Sequence, residues 1–155
     1  MIETGQDAPA FAGKDQAGND VSLEALKGSW VVLYFYPKDD TPGCTKEACN
    51  FRDNHAAIRA AGATVIGVSG DRQASHEKFT AKYELPFTLL VDADRTIARA
   101  YGAWGIKKNY GKEYEGIIRS TFIIDGSGRV AKVWPRVKPD SHGDEVLAWL
   151  TANTK

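Results

Sequence analysis

The sequence predicts an α/β fold, with a central mixed β-sheet flanked by helices and an N-terminal β-hairpin. Three observations carry this. Trp30-Val31-Val32-Leu33-Tyr34-Phe35-Tyr36 and Thr64-Val65-Ile66-Gly67-Val68-Ser69 are apolar runs rich in β-branched and aromatic residues, and their lack of polar alternation marks strands covered on both faces. Segments with helical spacing alternate with them, the pattern that builds βαβ units. Near the C-terminus, residues 119–125 and 129–134 flank Asp125-Gly126-Ser127-Gly128 and read as an antiparallel hairpin.

Taken in order, residues 11–23 hold the turn clusters Gly13-Lys14-Asp15 and Ala17-Gly18-Asn19-Asp20, which suggest a small hairpin. The strand at 30–36 follows. Residues 45–61 are helical and stop at Gly62. After the strand at 64–69, Asp71 or Ser75 is placed to cap a helix running to about residue 83. Residues 87–91 make a short third strand and 95–101 a short helix. Tyr101-Gly102-Ala103-Trp104-Gly105-Ile106-Lys107-Lys108-Asn109-Tyr110-Gly111 is too interrupted by glycine for a regular element. It reads as a packed surface loop, with a loop over the functional site as the alternative. A helix over 141–151, with Val146, Leu147 and Leu150 as its apolar face, closes the chain. Strands alternating with helices, then a hairpin and a last helix, follow the plan of a thioredoxin-like domain with additions.

At 155 residues the chain fits one domain with a proper core. Its 20 basic and 20 acidic residues cancel and form no block of like charge, which argues against nucleic acid and anionic membranes as partners. No apolar run approaches the roughly 20 residues of a membrane span. Met1-Ile2-Glu3-Thr4-Gly5 has neither the basic start nor the apolar core of a signal peptide, so a cytoplasmic location is expected. There a structural disulfide is uncommon, whereas a transient catalytic one is compatible with the compartment. No exposed apolar stripe calls for a second subunit, and a monomer is expected.

The chain has two cysteines, Cys44 and Cys49, in the segment between the first long strand and the first long helix. A cysteine in the first turn of a helix faces N–H groups without intrahelical partners and the positive end of the dipole. Both favour the thiolate, the reactive form. On a helix over 45–61, Cys44, Ala48, Phe51, His55 and Ile58 share one stripe. Cys49 lies about 140° around from Cys44 and about 7.5 Å along the axis, which puts the two Cα atoms roughly 8–9 Å apart. A disulfide needs them within about 4.4–6.8 Å. The two cysteines can therefore bond only if the first turns unwind. Pro37 and Pro42 stiffen the loop entering the helix. Thr41 is placed as a cap whose hydroxyl can point at the sulfur, and Gly43 removes bulk beside it, admitting a small substrate.

These residues fit the pattern Pro-x-x-x-Thr-x-x-Cys at Pro37, Thr41 and Cys44. The longer run Phe35-Tyr36-Pro37-Lys38-Asp39-Asp40-Thr41-Pro42-Gly43-Cys44-Thr45-Lys46-Glu47-Ala48-Cys49-Asn50-Phe51-Arg52-Asp53 resembles the Q-type peroxiredoxins, also called bacterioferritin comigratory proteins. A second cysteine five residues on is characteristic of that group, and the resemblance extends over essentially the whole chain. It implies a cofactor-free thiol peroxidase on a thioredoxin-like fold, acting on hydrogen peroxide and organic hydroperoxides in antioxidant defence and redox homeostasis. Cys44 would be the peroxidatic cysteine and Cys49 the resolving one, joined in an intramolecular disulfide that thioredoxin or a similar dithiol protein reduces. The family's arginine on a later strand falls at Arg119, so the substrate would meet Pro37, Thr41, Gly43 and Arg119.

Other readings stand beside these. From the strand pattern alone, Arg119 is a surface charge at a strand end. Glu47 and Arg52 either orient the loop and Arg119 or form a simple solvated pair. His55 lies roughly 16 Å along the helix from Cys44, too far to act as its base, and reads as a core or boundary residue. His76 and His142 have no partner at metal-ligand spacing, and no second pair of ligands completes a zinc site with the cysteines. A thiol–disulfide oxidoreductase would share the fold, but Cys-x-x-Cys is absent. A redox-switch binding module, using the unwinding as its signal, is the remaining alternative.

Overall fold

The computed structural model describes residues 1–154. In chain order the elements are β1 (Ala12–Lys14), β2 (Asp20–Ser22), β3 (Trp30–Phe35), α1 (Pro42–Ala60), β4 (Ala63–Ser69), α2 (Gln73–Tyr83), β5 (Thr88–Val91), α3 (Thr96–Tyr101), β6 (Trp104–Asn109), β7 (Lys112–Ile117), β8 (Ser120–Ile124), β9 (Val130–Trp134) and α4 (His142–Asn153). Five strands form the central sheet in the order β5-β4-β3-β8-β9. β3 pairs in parallel with β4 and antiparallel with β8, so the sheet is mixed at its middle strand. β1 and β2 form the expected N-terminal hairpin.

The apolar run of β3 is buried on both faces, as its sequence predicts. Val31, Leu33 and Phe35 enter one core with Ile97, Ala98 and Tyr101 of α3, and with Phe11 and Leu23 from the N-terminal segment. Val32, Tyr34 and the following Tyr36 enter the other, beneath α1, α2 and α4. Because side chains alternate along a strand, one uninterrupted apolar run supplies both layers. The stripe predicted for α1 is the buried one. Cys44, Ala48, Phe51 and Ile58 face the sheet, while His55 is half-buried at its border. The helix gives way to a glycine at φ +89°, Gly62, a left-handed position suited to that residue.

Two expectations fail. The stretch after α3 is not an irregular loop: residues 104–117 form a hairpin of β6 and β7. Gly105 and Gly116 face each other across it, and Tyr110-Gly111 make the turn at φ +51° and +78°, the left-handed pair that a tight hairpin demands. These glycines are cross-strand and turn positions rather than breakers. At α2, the cap position belongs to Arg72, with no side-chain cap bond. Asp71 and Ser75 instead direct their oxygens to Asp39 in the loop before α1.

Phe51 is fully buried and stacks on Tyr34 with ring centroids 4.6 Å apart. Phe51→Ala is expected to lower the unfolding free energy by about 3–5 kcal/mol, measured by chemical denaturation of the reduced protein. A loss under about 1 kcal/mol would mean that α1 is not held by this contact.

Candidate active site

The site is assembled where β3 ends and α1 begins. Thr41 occupies the cap position, Pro42 the first helical position, and Cys44 the first turn. The first intrahelical bond runs from the Thr45 N–H to the Thr41 carbonyl at 2.8 Å. The N–H groups of Gly43 and Cys44 precede that ladder and face outward from the helix start. Thr41 does not cap them. Its hydroxyl donates to the Lys38 carbonyl at 2.9 Å, which tightens the loop and turns its proton away from the sulfur. The expectation that this hydroxyl points at Cys44 is corrected accordingly.

Cys44 is buried, and the group on its sulfur is Arg119. Nη2 donates to Sγ at 3.2 Å. Arg119 stands immediately before β8, and its backbone carbonyl accepts from the Val137 N–H at 3.0 Å. The Arg119 side chain is only 18% exposed. A Cβ on Gly43 would lie 3.4 Å from Nη2, so the glycine brings the backbone close to the cation. Sequence pattern alone makes Arg119 a surface charge, and the fold makes it the neighbour of the thiol.

The other half of the fork binds Glu47, with Nη1 donating to Oε1 at 2.6 Å. Glu47 is fully buried and makes no solvated pair with Arg52, which turns instead to Asp53 and the Tyr83 carbonyl. Its place was available in the spacing, since residues three apart share a helix face and Glu47 follows Cys44 by that interval. Burial pushes the Glu47 carboxyl up to about 7, and the charge and hydrogen bond of Arg119 only partly oppose it. The short contact favours the carboxylate and desolvation favours the acid. Desolvation is the larger influence, because Oε2 has no hydrogen-bond partner among the described residues.

Cys49 is half-buried on the flank of α1, and both thiols are free. The helix is continuous through both, so they stand roughly 8–9 Å apart between Cα atoms. Beside Arg119 opens a cleft of about 550 Å³, whose walls include Pro37, Ile118, Val137, Lys107 and Arg136. Lys107 comes from β6, so the stretch that reads from sequence as a packed surface loop, or as a loop over the functional site, forms one wall as a hairpin. The Lys107 ammonium donates to the Ile117 carbonyl at 2.9 Å. Burial, and then Arg119, hold it below the ordinary lysine range. His142 is buried among α4, Phe51 and Trp134 and bonds Thr121.

The Glu47 shift has a consequence for stability. The ordinary carboxyl value is 4.5 and the folded one about 7, so the folded chain keeps a proton that the unfolded chain has released. The stability this contributes is complete below the unfolded value and is lost as pH rises through the folded one. From about pH 5 to about pH 8, the wild-type unfolding free energy is expected to fall more steeply than that of Glu47→Gln. Denaturation curves across that range with parallel slopes would overturn the assignment.

The sequence matches the AhpC/TSA family over residues 4–133. It is 52% identical to peroxiredoxin Bcp of Bacillus subtilis over 149 residues, covering 96% of this chain and 95% of that one. It is 42% identical to peroxiredoxin Bcp of Escherichia coli K12, with 96% of each chain covered. Among solved structures, the bacterioferritin comigratory protein of Xanthomonas campestris superposes with a TM-score of 0.92 at 39% identity, over 99% of this chain and 100% of that one. Its fold, the cysteine at the helix start and these relatives together identify the chain as a member of the AhpC/TSA family and, within it, of the Bcp/PrxQ peroxiredoxins, which are thiol peroxidases.

Proposed function

We propose that the whole chain is one peroxidase domain in which Cys44 is the peroxidatic residue and Cys49 the resolving residue. The observation that carries this is the 3.2 Å contact between Arg119 and the Cys44 sulfur at the start of α1. A hydroperoxide entering beside Pro37 and Gly43 meets the sulfur, the Arg119 guanidinium and the N–H groups of Gly43 and Cys44. The Cys44 thiolate attacks the near oxygen of the O–O bond. That oxygen stays on sulfur as sulfenic acid, and the far oxygen leaves with the electron pair as an alkoxide or hydroxide, taking a proton to become alcohol or water. Sulfur is oxidised by two electrons and the peroxide reduced by two. Negative charge grows on the leaving oxygen, and a fixed cation with several donors stabilises it there. Thr41 contributes by fixing the loop, since its hydroxyl proton is engaged with Lys38.

The Cys49 thiol then displaces the sulfenic oxygen as water, giving a Cys44–Cys49 disulfide. This requires α1 to unwind around both residues. A dithiol protein of the thioredoxin kind attacks the disulfide, forms its own, and returns both thiols. The Xanthomonas relative is described with alkyl peroxide reduction activity, and the apolar side of the cleft, with Ile118 and Val137, suits an organic hydroperoxide as well as hydrogen peroxide. Among the described residues no helix is long and apolar enough to cross a membrane. The reading is of a monomer working in the cytoplasm, where its thiols are kept reduced.

Cys44→Ser is expected to abolish peroxide consumption. Cys49→Ser is expected to reduce one equivalent of peroxide and then stop, because thioredoxin has no disulfide to act on. Stopped-flow tryptophan fluorescence followed by thiol counting reads both. A Cys44→Ser protein that consumes peroxide at the normal rate would sink the mechanism. Arg119→Ala is expected to lower the second-order rate with hydrogen peroxide by about 10²–10³-fold, and a change under about threefold would remove Arg119 from the peroxide step.

A further inference from the structure

A buried polar cluster lies outside this chemistry. Asp39, 6% exposed, sits in the loop between β3 and α1. Its carboxylate accepts from the Tyr36 hydroxyl at 2.5 Å and the Ser75 hydroxyl at 2.8 Å, and contacts His76 Nδ1 at 2.7 Å. Its N–H donates to Asp71 at 2.8 Å, and Asp71 also accepts from the Ser69 hydroxyl at 2.6 Å. His76 is fully buried, with Nε2 3.0 Å from the Leu90 carbonyl. A carbonyl oxygen can only accept, so Nε2 bears a hydrogen. Nδ1 faces a carboxylate oxygen, so a further proton lies between the two groups. The result is a buried, charge-assisted pair, whose disruption from either side leaves an uncompensated group.

The next residue is fastened as well. Asp40, in the left-handed region at φ +55°, accepts from Lys82 Nζ and the Tyr83 hydroxyl, each at 2.8 Å. Both ties lead to α2. Beyond the cysteines, Asn50 Oδ1 accepts from the Asp144 N–H at 3.0 Å, Asn54 donates to Asp144 at 2.8 Å, and Arg52 donates to the Tyr83 carbonyl at 2.8 Å. A Cβ on Gly143 would lie 2.9 Å from the Asn50 carbonyl oxygen, so α1 and α4 touch there. The chain is thus clamped at residues 39–40 and again from residue 50. Between the clamps lie residues 41–49, with both cysteines. Among the described residues, their polar side-chain ties outward are Arg119 on Cys44 and Glu47, the Thr41 hydroxyl on the Lys38 carbonyl, and an exposed Lys46–Asp140 pair at 3.8 Å.

We propose that Asp39 and His76 form a buried anchor that fixes the chain ahead of Cys44, so that the unwinding needed for the Cys44–Cys49 disulfide begins after Asp40 and ends before Asn50. This rests on the peroxidase reading above. Asp39 and His76 touch neither peroxide nor sulfur and act as positioning residues. With the anchor in place, an unwound segment has one way back, to the first turn in which Arg119 meets the thiol. Without it, the loop carrying Pro37 and Thr41 drifts as well, and the geometry for peroxide attack is populated less often.

Hydrogen exchange on the reduced and disulfide forms of the wild-type protein tests the boundaries. The expected result is loss of protection over 42–49, with 36–40 and the start of α2 unchanged. Equal loss over 36–40 overturns the anchor. Stopped-flow on Asp39→Asn separates the two chemical steps. Sulfenic acid formation is expected to slow by about tenfold or more, with condensation to the disulfide equally fast or faster. Both rates unchanged, or both reduced alike as from general destabilisation, overturns the proposal. Should Asp39→Asn fail to fold, the wild-type exchange pattern decides. A wild type that keeps both thiols after peroxide defeats the peroxidase reading and the anchor with it, whereas one that forms the disulfide but opens through 36–40 defeats the anchor alone.

Discussion

The Arg119 guanidinium ties the first turns of α1 to the head of β8. One arm reaches the Cys44 sulfur and the other the Glu47 carboxyl, both on the first turns of α1, from a position at the head of β8. A planar fork with fixed donors can hold both at once, which a lysine cannot. The arrangement is stable because the sheet is rigid where it matters. β3 pairs with β8 on one side and β4 on the other, so the strand that delivers the cysteine and the strand that delivers the arginine are neighbours in one hydrogen-bonded frame.

The electrostatics of the site are a compromise. Glu47 neutralises part of the cation beside the Cys44 sulfur, yet it also fixes the orientation of that cation. Its burial pushes its pKa up to about 7, so near neutrality the carboxyl is partly an acid and its hold on the guanidinium is correspondingly softened. A fully ionised carboxylate in the same place would compete harder with the sulfur for the same cation. Desolvation therefore sets how the fork is shared between its two partners.

Much of this was legible in the sequence because the signals were local. The apolar run of β3, the spacing of Cys44, Ala48, Phe51 and Ile58, and the loop with Pro37, Thr41 and Gly43 each depend on neighbours within a few positions. What was not legible depended on distant pairing. Glu47 reads equally well as a group orienting Arg119 and as a solvated helical glutamate, and only the fold that brings Arg119 over it decides between them. Asp71 and Ser75 are good cap residues by type, but Asp39 outbids the helix end for their oxygens. Residues 104–117 carry glycines that break a helix or a solitary strand, and only cross-strand register turns them into a hairpin. His76 offered no partner nearby because its partner, Asp39, lies 37 positions away.

The β6–β7 hairpin pairs with itself and stands outside the five-stranded sheet. It nonetheless supplies Lys107 to one wall of the cleft, while its turn residue Tyr110 is 99% exposed. On the proposed reading, Cys44 and Arg119 thus stand on the five-stranded frame, while part of the cleft wall beside them stands on an appendage. Redrawing that single ribbon would reshape the cleft wall while leaving Cys44, Arg119 and the start of α1 as they are.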